Sequence, residues 1–145
     1  MENVAGDLKG WKVLDIGCGD GYLVNRLLKE GVDAYGCDIT LAGIPNPSPR
    51  FRQCPAWRLP YKDGEFELTI TTDVLEHIPE EMIPQVAREI QRITSRISVH
   101  IIATFPERKY QGHEVHLTVR PMEWWAQRFK GSLIERTEKG WHRWQ

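Results

Sequence analysis

The chain is poor in cysteine, with three in 145 residues, Cys18, Cys37 and Cys54, and no C-x-x-C pair. That excludes a disulfide scaffold, argues against a structural zinc site, and makes the free thiols a sign of a reducing compartment. It also has no long apolar run. The longest mostly apolar stretch, 97–105, is interrupted by Ser98 and His100 and is half the length a membrane span needs. The first dozen residues carry no signal-peptide-like core. Neither sign of charge dominates: 19 Lys and Arg against 20 Asp and Glu leave a net −1, so no strong field favours nucleic acid or membrane as partner. Repeats and low-complexity blocks are missing as well. What remains, at 41% hydrophobic and 27% charged residues, reads as one globular cytoplasmic domain over 1–145.

Strand-like and helix-like patterns alternate along it. An apolar run at 13–16 meets Gly17-Cys18-Gly19-Asp20-Gly21, and a helix follows with apolar positions 23, 24, 27 and 28. Asp20 suits its N-cap and Gly31 its stop. Further strands are expected at 32–38, 51–54, 66–72 and 97–104, with a proline-rich loop at 44–50. Residues 81–94 carry a helical stripe at 82, 83, 86, 90 and 93, and 121–129 a second helix opened by Pro121. The end, 132–137 and 141–145 around Lys139-Gly140, reads as an antiparallel hairpin. Trp124 and Trp125 are expected to pack in and beside the core. Such alternation predicts an α/β fold with a mostly parallel sheet.

The glycine turn carries the chemistry. Three glycines between a buried strand and a helix N-terminus let a ligand approach the backbone, where free N–H groups and the helix dipole favour an anionic group. A dinucleotide fingerprint requires Gly or Ala at position 22, which is Tyr22, and no G-K-[ST] follows for a phosphate loop.

The stretch V-L-D-I-G-C-G-D-G at 13–21 resembles the first motif of class I S-adenosylmethionine-dependent methyltransferases. Three more segments resemble that family in the expected order: Asp38, ending the second strand 17 residues after Gly21; Leu59-Pro60-Tyr61 followed by 63–68, similar to an "LPF…FD" segment; and 73–78, D-V-L-E-H-I, similar to the "LEH" signature of the small-molecule group. The resemblance implies a three-layer Rossmann-like sandwich, here truncated at both ends, that binds S-adenosylmethionine and releases S-adenosylhomocysteine. Gly17, Cys18 and Gly19 would approach the methionine part through their backbone, with Asp15 fixing the turn. Asp38 would take the ribose hydroxyls, Ile39 would pack on adenine, and Asp73 and Val74 would border the methionine end. Many relatives place an Asp where this chain has Pro55, so the adenine contact falls to backbone around Ala56 and Trp57 or is lost.

Methyl transfer needs a positioned nucleophile, and a base only if the acceptor must lose a proton; a histidine suits that task at neutral pH. His77, beside the methyl-transfer pocket, then His113 and His116 are the candidates. His113 and His116 have a spacing that fits neither a zincin helix nor a zinc finger, so no metal is expected. The loop 103–119, carrying Arg108, Tyr110 and both histidines, is the expected cover for the pocket. The expected reaction is methyl transfer to an O, N or C nucleophile of a small molecule. Two alternatives stand beside it: a non-catalytic cofactor-binding module of a larger assembly, and a nucleic-acid or protein methyltransferase supported by Arg50, Arg52 and Arg58. The tryptophans at 124, 125, 141 and 144 suit a homodimer interface.

Overall fold

The computed structural model describes residues 8–107 and 109–137. Arg108 and the hairpin's second arm, 141–145 with Trp141 and Trp144, lie outside the described residues. Six strands, β1 (Lys12–Ile16), β2 (Asp33–Asp38), β3 (Phe51–Gln53), β4 (Phe66–Thr72), β5 (Thr94–Ile102) and β6 (Leu133–Arg136), form one sheet in the order β3-β2-β1-β4-β5-β6. Every pairing in it is parallel. The first arm of the expected hairpin is β6, which lies parallel to β5 with Val99 opposite Leu133 and Ile102 opposite Arg136. It reaches that edge because helix α3 (Met122–Arg128) forms the crossover between them.

Helix α1 (Tyr22–Lys29) packs on one face of the sheet, against Val13, Val32 and Leu68 through Leu27 and against Ala34 through Val24. Helix α2 (Ile83–Ile93) and α3 cover the other, where Leu14, Ile16 and Ile102 meet Val86, Ile90, Trp125 and Phe129. Val13 and Leu14, adjacent in sequence, serve opposite faces, as the two-residue period of a strand requires. The result is the expected three-layer arrangement. Trp125 is fully buried, donating its Nε1–H to Arg120 O at 3.2 Å, while Trp124 lies at the edge with the Arg128 guanidinium 3.6 Å from its ring centre.

The helix ends follow their capping chemistry. Asp20 Oδ1 accepts from the Tyr22 N–H at 3.0 Å, with Gly21 itself in the cap position. At the other end Gly31, φ +82, donates to Leu28 O at 3.0 Å, the left-handed stop that glycine tolerates best. Pro84 lies in the first turn of α2, where its missing N–H has no intrahelical partner to lose. The strand order reverses between β1 and β4, so their carboxyl ends splay open at a switch point, where ligands of open α/β sheets bind.

Candidate cofactor and methyl-transfer site

The turn after β1 is built by three left-handed glycines, Gly17, Gly19 and Gly21, with φ of +78, +57 and +80°. Their amides are used differently from expectation. Gly17 and Cys18 both donate to Cys37 O, at 2.8 and 2.9 Å, and Gly19 donates to Asp38 Oδ2 at 2.8 Å. These N–H groups therefore tie the turn to the end of β2. Cys18 is fully buried, and Asp15 is buried near the end of β1. The part of the turn that reaches the cleft is Gly17. Beside it, a Cβ on Gly19 would meet nothing within 4 Å, so the turn leaves open space there.

A cleft of about 360 Å³ lies at the switch point. Of the residues expected to hold cofactor, Gly17, Asp38, Ile39, Ala56, Trp57, Asp73 and Val74 line it, and Asp15, Cys18 and Gly19 stand behind or beside it. Ile16, Cys37, Cys54, Pro55, Ile78 and Pro79 also line it and were missed. Cys37 and Cys54 were findable, since both sit at strand ends, where parallel sheets place their ligands. Cys54 N–H donates to Asp38 O at 2.8 Å, bringing the two thiols together. Hydrogen bonding to Cys54 and burial push the Cys37 thiol well above its usual pKa.

The 54–61 wall is fixed by helix α2. Arg92 donates to Leu59 O at 2.9 Å and Tyr61 O at 2.7 Å, and Glu89 Oε2 accepts from Leu59 N–H at 2.7 Å. The Leu59-Pro60-Tyr61 segment thus holds up the 54–57 side of the cleft and does not itself line it. Asp38 stands between that apolar side and the turn, with Oδ1 also accepting from Thr40 N–H at 3.2 Å. Ile39 is 60% exposed inside this cleft, a large apolar surface ready for a flat ring. The lining fits S-adenosylmethionine in kind: apolar walls that suit a flat ring, and two carboxylates, Asp38 and Asp73, that suit polar and cationic groups.

Asp73 closes β4 with φ +53°, a conformation that costs a non-glycine residue energy and gathers at functional sites. Its N–H donates to Ile101 O at 2.9 Å, and Thr137 Oγ1 donates to its Oδ1 at 2.5 Å. The next turn, Leu75–His77, buries Glu76 completely and turns His77 toward the cleft. Burial pushes the Glu76 carboxyl up to about 8, the charge of Asp73 adding to it against the N–H of Ala103. Desolvation also holds His77 below its usual value, with His116 adding to the effect and the Val115 carbonyl opposing it.

The three candidate bases part company. His77 and His116 stand edge to face with ring centres 4.9 Å apart. His113 is exposed, paired backbone to backbone with Tyr110 in a tight turn, and does not line the cleft. Arg50 pairs with Asp33 at 2.7 Å and Arg52 donates to Pro60 O at 2.8 Å, so two of the three arginines behind a nucleic-acid reading serve the fold. No helix among the described residues is long and apolar enough to cross a membrane.

Comparison with known proteins agrees with this geometry. Residues 14–102, more than half of the chain, match the family described as "Methyltransferase domain", and the chain belongs to that family. The ubiquinone biosynthesis O-methyltransferase of Acinetobacter baylyi is 30% identical over 91 residues, covering 55% of this chain and 38% of its own length. The chain therefore spans well under half of that curated relative. A putative S-adenosylmethionine-dependent methyltransferase from Listeria monocytogenes shares the fold with TM-score 0.64 at 13% identity, over 85% of this chain and 76% of that one. A Burkholderia thailandensis 1,6-didemethyltoxoflavin-N1-methyltransferase, solved with S-adenosylhomocysteine, aligns with TM-score 0.50 at 18% identity over 62% and 45%. The family, the fold and the cleft agree on S-adenosylmethionine as the cofactor.

Proposed function

We propose that this chain binds S-adenosylmethionine in the switch-point cleft and transfers its methyl group to a nucleophile of a small molecule seated beside His77. The observation that carries the reading is the continuity of one cleft from Asp38 and Ile39, past Gly17 and Val74, to His77, Ile78 and Pro79. Bound cofactor supplies an electrophilic methyl on a sulfonium. The chain's own part is positioning: Asp38 fixes the ribose, Ile39 and the 54–57 wall hold adenine, and Asp73 takes the amino-acid end. Holding the acceptor in line with the methyl accounts for much of the rate. His77 Nδ1 lies 2.9 Å from Val115 O, which leaves Nε2 as the atom that meets an acceptor proton. The O-methyltransferase named above and the small cleft favour a compact acceptor over a polymer.

Calorimetric titration with S-adenosylhomocysteine tests the first half, and methyl transfer from labelled cofactor into pools of small hydroxylated and amino compounds tests the second. Saturable binding with turnover is expected. Binding with no turnover in any pool favours a cofactor-binding module, and no binding at all defeats the reading.

A further inference from the structure

Glu76, His77 and His116 converge in a way that cofactor binding does not explain. One donor atom from each lies within 4.8 Å of the other two. His77 Nδ1 is 2.9 Å from Val115 O, and His116 Nδ1 is 2.7 Å from Phe105 O. A carbonyl oxygen only accepts, so both Nδ1 atoms carry hydrogen and each neutral ring keeps its lone pair on Nε2. An imidazole oriented by such an N–H to a carbonyl is the usual state of a metal-binding histidine. Glu76 Oε1 accepts from Ala103 N–H at 3.2 Å, while Oε2 is buried with no hydrogen-bond partner among the described residues. Ring packing alone accounts for the two histidines; it does not account for a buried carboxyl set beside them, which gives up its proton when it takes an ion.

We propose that Glu76, His77 and His116 form a binding site for a first-row divalent cation of the Zn²⁺ kind. The ligands decide the class, because imidazole nitrogen suits Zn²⁺, Co²⁺ or Fe²⁺, whereas Mg²⁺ and Ca²⁺ prefer oxygen alone. With bonds of about 2.1 Å, tetrahedral ligand atoms lie roughly 3.4 Å apart, so ligand atoms now up to 4.8 Å apart close by at most about 1.4 Å on binding. His77, exposed on the cleft side, is the ring with room to move. His113, three residues from His116, takes no part. The site opens onto the cleft, so an ion there would polarise an acceptor hydroxyl in place of a histidine base. Binding of the ion rests on these three side chains and requires neither cofactor nor methyl acceptor.

The test uses the full, untagged chain stripped with chelator, titrated with Zn²⁺ by calorimetry and with Co²⁺ by visible absorption. One ion per chain is expected, with Co²⁺ d–d bands of a nitrogen and oxygen site. His116→Ala and His77→Ala should each weaken binding tenfold or more, and His113→Ala should leave it unchanged. His77 is exposed, so its variant keeps the fold, which circular dichroism verifies; Glu76→Gln is added if it folds. Absence of saturable binding, equal affinity in His77→Ala, or thiolate-to-Co²⁺ charge transfer placing the ion on Cys37 and Cys54 overturns the proposal. S-adenosylhomocysteine titration of the same samples reads cofactor binding separately, so failure of one claim is not failure of the other.

Discussion

Gly17 and Val74 face each other so closely across the β1 and β4 ends that a Cβ on Gly17 would lie 2.3 Å from Val74 Cγ2. The glycine is thus required twice, by this approach and by its φ of +78°. Gly17→Ala should cost about 1–2 kcal/mol for the left-handed backbone and a further ~1–3 kcal/mol for overpacking. Val74→Ala in the same chain should recover the second part only. Urea midpoints of the four proteins in this cycle measure the coupling; a double variant no more stable than Gly17→Ala alone would show that the contact is not the constraint.

Gly19 provides the contrast. Nothing lies within 4 Å of a Cβ there, so Gly19→Ala meets only the backbone cost of about 1–2 kcal/mol. The open space there lies beside the cleft, and if the cofactor extends into it S-adenosylhomocysteine affinity should fall sharply. Calorimetry showing unchanged affinity in a folded variant would move the cofactor away from this turn.

Asp38 joins the turn to the cleft through Gly19 N–H at 2.8 Å. Asp38→Ala should weaken S-adenosylhomocysteine by roughly 1–3 kcal/mol, the range for leaving buried partners unpaired. Asp38→Asn keeps one accepting oxygen and should recover part of that loss. Equal affinity in all three proteins would make Asp38 a structural tie alone.

The local parts of this architecture were readable because they are written in short-range chemistry. The strand, the three glycines and the α1 stripe lie within twenty residues, and Asp38 falls at the distance that one strand–helix–strand unit dictates. The amide pattern of the turn was not readable, since it depends on Cys37 O, brought in by the parallel register of β1 and β2. Nor could spacing show that His116 leaves His113 and joins His77, about forty residues away. That pairing follows from Leu117 and Thr118 N–H groups both donating to Glu76 O, at 2.8 and 3.0 Å. Motifs mark what a segment does to itself, whereas side chains converging from distant segments are set by docking.

His100 gives a pH dependence. It is fully buried on β5, Nδ1 is 2.8 Å from Thr71 Oγ1, and its ring centre lies 4.7 Å from that of Phe129. Desolvation pushes its pKa down from 6.5 to about 4. Between these values the unfolded chain binds a proton that the folded chain refuses, so stability is full above pH 6.5 and is lost as pH falls toward 4. The loss amounts to about 3 kcal/mol. Denaturation of the wild type and His100→Asn across pH 4–7 isolates it, because all other titrations cancel in the difference. A difference that does not change with pH would mean the imidazole takes up its proton in the fold as readily as in the unfolded chain.

The segment after β5 divides into a fixed part and a flap. Residues 115–118 are already docked: Leu117 and Thr118 N–H groups donate to Glu76 O, and the buried Thr118 Oγ1 donates to Ile78 O at 2.7 Å. They stand behind His77, whose Nδ1 is 2.9 Å from Val115 O, and do not themselves line the cleft. Tyr110, by contrast, is 70% exposed, and the 110–113 turn is closed on itself by the reciprocal bonds of Tyr110 and His113, each 2.9 Å. The expected cover over 103–119 therefore contracts to 109–114, since lids are drawn from segments with few buried contacts. In hydrogen exchange, amides 117 and 118 should be slow with or without S-adenosylhomocysteine, and 109–114 should be fast alone and slowed by ligand. Thr118→Val removes the bond to Ile78 O and should speed 117 and 118 in the free state. Sedimentation at two concentrations separates closure within one chain from closure by a second copy. Fast exchange at 109–114 in both states, from a monomer, would rule out both routes and leave a partner molecule to cover the site.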